Sequence, residues 1–215
     1  MKEKIMNRIK TLWQRCRSGV LLGLALGTLT YIAITATANL SSQTAFAGVS
    51  VNLRLSQSGS DWLKQALTNR LKAEDYRGKI LLADAELDAF ETVEDLDTNY
   101  YALQALLLLY ETQEVDAMLM DQVAMENFLR QEIYLDLRQL LSEDSLAAMG
   151  EAVIWARHKE SSEAAPLVLD VTELPFIQDH TEATGRVYLA FMNNTTHLPA
   201  CRLLWDAITA WEDEK

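Results

Sequence analysis

The chain has 215 residues, 49% of them hydrophobic, and a net charge of −12. That length bounds it to one ordinary domain plus an appendage, and the hydrophobic content is enough for a core. Residues 1–18 carry six Lys/Arg against Glu3, whereas the remainder holds 13 basic and 30 acidic residues. So acidic a body excludes nucleic acid and anionic lipid as its partners.

Residues 18–53 carry no acidic or basic side chain at all. Within this stretch, residues 20–38 are apolar apart from Gly, Thr and Tyr. A helix of about 20 such residues spans the hydrocarbon of a bilayer. Threonine is tolerated there because its hydroxyl bonds back to the preceding turn. The basic flank lies before the run, so the expected orientation places residues 1–18 in the cytoplasm and the rest outside. Trp13 suits the interfacial belt. The competing reading is a cleaved signal peptide, with Ala45-Phe46-Ala47 as the cleavage site before Gly48. The run exceeds the usual signal core, and the small-residue site lies well beyond its end, so a retained anchor is preferred. The expected organisation is therefore a basic tail (1–18), a transmembrane helix (19–38), a linker (39–48) and an extracytoplasmic domain (49–215).

Val49–Leu55 alternates as a first strand. Ser56–Ser60 reads as a turn with Ser60 as N-cap, and Asp61–Ala73 as a helix with Leu63, Leu67 and Leu71 on one face. Lys79–Ala83 is a second strand, followed by an acidic loop over residues 84–97 and an apolar helix over Asn99–Glu111. Ala117–Met120 is four apolar residues without polar alternation, the pattern of a strand covered on both faces. Asp121 follows it, then a helix over about Val123–Gln131 and an extended piece at Tyr134–Leu137. Leu137–Met149 predicts one or two short helices. Glu151–Arg157, Leu167–Val171 and Val187–Met192 read as strands, with a turn at Pro175 between the last two. The final helix opens at Pro199, with Ala200, Leu203, Leu204, Ala207, Ile208 and Trp211 at helical spacing. The strand–helix alternation of the first half predicts an α/β fold. The expected form is a three-layer lobe with a mostly parallel sheet of about six strands.

Two stretches carry a family resemblance. Asp116–Leu141 joins an apolar strand flanked by Asp116 and Asp121 to a helix bearing Phe128, and then to Leu135-Asp136-Leu137. Pro166–Asn193, with the helix from Pro199, supplies a second piece. Together they resemble the extracytoplasmic solute-binding proteins of ABC importers, of the type 2 periplasmic-binding-protein fold. The resemblance implies non-catalytic binding of a solute or partner, and an importer permease or another membrane protein as neighbour. Those proteins hold their ligand between two lobes, and this chain has length for one.

Ligands of open parallel sheets sit outside the carboxyl ends of strands. The polar residues expected there are Ser56 and Ser58, Asp121 and Gln122, and Asp170 and Thr172, with Asp84, Glu86 and Glu173 as lesser candidates. The competing reading makes them turn and N-cap residues, since Ser, Asp and Thr favour helix starts. No nucleophile, P-loop or metalloprotease pattern is present, and no catalytic residue, cofactor or metal is expected. His158, His180 and His197 lack ligand spacing. Cys201 reads as a buried inert thiol. The tryptophans beyond Trp13 read as core or groove residues, with a sugar-stacking surface as the alternative.

Overall fold

The computed structural model describes residues 44–76, 78–85, 96–157 and 163–211, with the backbone alone for residues 96–103. Residues 43–215 form one compact unit. The expected anchor at residues 19–38 lies outside the described residues. Among those described, no helix is long and apolar enough to cross a membrane.

The unit is an α/β domain built on a six-stranded sheet. Its strands are β1 (Thr44–Val51), β2 (Lys79–Ala85), β3 (Ala117–Met120), β4 (Val153–Ala156), β5 (Ala165–Asp170) and β6 (Tyr188–Phe191). The helices are α1 (Gln57–Ala73), α2 (Leu96–Glu111), α3 (Gln122–Leu129), α4 (Glu143–Met149), α5 (Pro175–His180) and α6 (Leu198–Thr209). Strand order is β2-β1-β3-β6-β5-β4.

The sheet is mixed, which corrects the expectation of a mostly parallel one. β1 runs parallel to β2 and to β3. The β3–β6, β6–β5 and β5–β4 pairs are antiparallel. The cause lies in the connections. A parallel neighbour needs a crossover that carries the chain back across the sheet. β4 and β5 are joined by only eight residues, fewer than the dozen or so a crossover takes. The helix between β5 and β6 is the six-residue α5, about 9 Å long and too short to carry the chain back across the sheet. The chain therefore re-enters the sheet from the edge where it left. Pro175 opens α5 instead of marking a plain turn. Its missing N–H is harmless in a first turn, and Phe176 and Ile177 bury against the sheet.

The first strand also departs from expectation. It covers Thr44–Val51, so residues 44–48, read as the end of the linker, are the first five residues of an interior strand. Ala45, Phe46 and Ala47 are all buried there. The alternation does not continue to Leu55 because Asn52 takes a left-handed conformation, φ 58°, which Asn tolerates better than most residues. The first helix begins earlier as well: Ser56 is its N-cap and accepts from the Gly59 N–H at 3.1 Å. Gly59 is required at that point, since a Cβ there would lie 2.6 Å from the Cβ of His180.

Helices cover both faces. On one, Leu63, Leu67 and Leu71 of α1 pack with Leu204 and Ile208 of α6 over Phe46, Leu189 and Phe191. On the other, Leu106 of α2 and Met125 and Phe128 of α3 pack over Val49, Val51, Met118 and Met120. The β3 residues alternate between the two cores, which is why this strand reads as an unbroken apolar run.

Candidate functional site

The strand directions put the carboxyl ends of β1, β2, β3 and β5 on one edge of the sheet. All six sequence-predicted residues lie along that edge or in the first turns beyond it. They form three separate groups.

At the end of β1, the Ser56 hydroxyl lies 3.1 Å from the Ser58 hydroxyl and 3.0 Å from His180 Nδ1. Its own backbone N–H donates to the His180 carbonyl at 2.7 Å. The start of α1 is thus clamped to the end of α5. At the end of β3, Asp121 caps α3, accepting from the Ala124 N–H at 2.8 Å. Its second oxygen accepts from Asn52 Nδ2 at 3.1 Å. Gln122 points along its own helix to Glu126 at 2.9 Å. At the end of β5, one Asp170 oxygen accepts both the N–H and the hydroxyl of Thr172, at 3.1 and 2.5 Å. Thr172 in turn accepts from the Val187 N–H at 2.9 Å, which closes the β5–β6 connection. The other Asp170 oxygen meets Arg186 at 3.4 Å, where the Arg side chain is 67% exposed. Asp84 lies within β2, on the sheet's edge strand, and is exposed. Glu86 lies outside the described residues. Glu173 accepts from Gln178 Nε2 at 3.2 Å.

The opposite edge holds a denser polar assembly that was not anticipated. Asp116, directly before β3, is 2% exposed. Its carboxylate accepts from the Ala47 N–H at 2.8 Å and the Thr195 hydroxyl at 2.5 Å. His197 Nδ1 lies 3.0 and 3.1 Å from its two oxygens. One carboxylate therefore joins the first strand, the third strand and the loop into α6. The signal in the sequence was an acid wedged between Val115 and an apolar strand. A charge at such a position needs several donors to be tolerated. Cys201, one helical turn after His197, is wholly buried. Burial, and then the nearby Asp116 charge, push its thiol well above the ordinary range, which keeps it protonated at neutral pH.

Trp62, Phe176, His180 and Trp211 pack edge-on or tilted, with centroids 4.5–5.7 Å apart. These rings pack against one another. Trp155 on β4 is 53% exposed. His158 lies outside the described residues. Among the described residues, no three His, Cys, Asp or Glu side chains are placed to hold a metal ion. An apolar cavity of about 40 Å³ sits beneath α1, α5 and α6, lined by Ser50, Leu119, Leu189, Phe176 and Leu204. It is far below the several hundred Å³ of a solute pocket.

No family model, curated protein or solved structure matches the chain.

Proposed function

We propose that the chain is a membrane-anchored, extracytoplasmic binding module without catalytic activity, built like one lobe of a solute-binding protein. The observation that supports this reading is that Ser56, Asp121, Asp170 and Thr172, though in three separate groups, all lie along the edge where four strands end. A solute on that edge would meet two carboxylates and several hydroxyls. The hydrophobic run at residues 20–38 supplies the anchor. The test is the melting of the full-length protein in detergent against sugars, amino acids and short peptides. A ligand at a hundredfold excess over Kd stabilises by about 2.7 kcal/mol. A solute that raises Tm, with the rise lost in Asp170→Asn, is the expected result. A flat response across the panel sinks it.

A second reading, a protein-interaction domain of a membrane complex that no longer takes a solute, has its own support. Every one of the six residues except Ser58 and Gln122 already serves as a cap or closes a turn. Leu108, at 58% exposure, and Trp155 remain apolar at the surface. This reading expects Leu108→Ser and Trp155→Ser to weaken cross-linking to an importer permease while leaving Tm unchanged.

A further inference from the structure

The groove between α6, the end of α1 and the short turn Leu137–Gln139 holds an unpaired set of charges. It has a volume of about 420 Å³, and its walls include Arg202, Glu74 and Asp206. That size falls in the range of small-molecule sites. Arg202 and Asp206 are one turn apart on α6, close enough for an ion pair. Yet Arg202 forms no ion pair or hydrogen bond with the described side chains, although two carboxylates share its groove. Leu140, Pro199 and Leu203 supply apolar wall to the same groove.

The groove is not the strand-end site. α1 starts beside the carboxyl end of β1 and runs its 17 residues before Glu74. α6 opens after the far end of β6. The groove therefore lies toward the opposite edge of the sheet from Asp121 and Asp170.

We propose that this groove binds a small zwitterion with an apolar side chain, an α-amino acid or the equivalent end of a peptide. Arg202 takes the carboxylate through its planar fork of donors. Glu74 and Asp206 take the ammonium, and Leu140 and Leu203 receive the side chain. The two acids against one base explain why an ammonium is needed: a simple carboxylate would meet net negative charge. The rim residues Glu74, Gln139, Arg202 and Asp206 are all exposed, so the ligand stays partly solvated and binding is weak, with Kd in the range of about 0.1–10 mM.

The experiment is calorimetry on the full-length protein in detergent with leucine, leucine amide, N-acetylleucine and leucyl-leucine. Leucine should bind saturably, and removing either charge should weaken it at least tenfold. Arg202→Gln should lose binding with unchanged Tm, because the side chain lies on the surface, and Arg202→Lys should restore part of it. Leucyl-leucine binding tighter than leucine identifies a peptide as the source, and weaker binding identifies the free amino acid. No saturable heat from either overturns the proposal. So does binding that Arg202→Gln leaves intact. A ligand lost in Asp170→Asn but kept in Arg202→Gln would support the strand-edge reading and overturn this one.

Discussion

Asp116 accepts hydrogen bonds from a strand, a hydroxyl and an imidazole, all at the buried amino edge of the sheet. Removing it strands the Ala47 N–H and leaves His197 without its partner. Asp116→Ala should therefore cost about 3 kcal/mol, read from the urea midpoint. His197→Ala should cost less, because the carboxylate keeps its other two donors. Cys201 and Tyr134 make a separate prediction. Burial raises both above their ordinary values of 9.0 and 10.0. The folded state then holds protons that the unfolded chain releases, so stability is intact below pH 9 and falls as pH rises beyond it. Each group contributes a slope of about 1.4 kcal/mol per pH unit. Cys201→Ala should flatten the first part of the fall and Tyr134→Phe the part above pH 10. An unchanged alkaline profile in both variants would refute the assignment.

At the scale of elements, β1 is the one most exposed to an error of reading. Ala45-Phe46-Ala47 has the small-residue pattern of a processing site, but these three residues are buried members of the eight-residue β1, an interior strand. Small residues suit the place: a Cβ on Gly48 would already lie 3.1 Å from Leu82 and Phe46. A chain beginning at Gly48 loses Phe46 from the core, worth about 3–5 kcal/mol, and the donor that Asp116 needs. A chain of residues 43–215 should fold, and one of residues 48–215 should melt far lower or not fold at all. Equal melting of the two would show that Thr44–Ala47 is dispensable. Leu106→Asp should abolish folding, since it places a charge where α2 packs at 3% exposure. β3 was legible to the residue because it is covered on both faces. β1 was not, because its polar Asn52 and its run of small residues owe their places to neighbours far away in sequence.

For the whole molecule, one compact unit from Gln43 onward predicts a single cooperative transition for residues 43–215, by heat and by urea. Two separated transitions would contradict it. The strand-end residues Ser56, Ser58, Asp121, Gln122, Asp170 and Thr172 are half-buried or exposed, not enclosed, so a small solute there buries less than the 70–90% of its area usual in pockets. Affinity of the monomer for any free solute should be no tighter than about 0.1 mM. A submicromolar Kd would require a second wall, supplied by another copy or by a partner.

Local pattern by itself determined the α/β class, the strand count, the buried β3 and the final helix. Each of these rests on periodicity within one segment, or on apolar residues that any covering layer would bury. Tertiary structure alone decided the antiparallel half of the sheet, because a short connection returns the chain to the edge it left. It also decided which polar residues are already spent. Asp121 and Asp170 look available in sequence but have bonded neighbours. Asp116 and His197, 81 residues apart, become partners only when β3 and the loop into α6 close on the same edge.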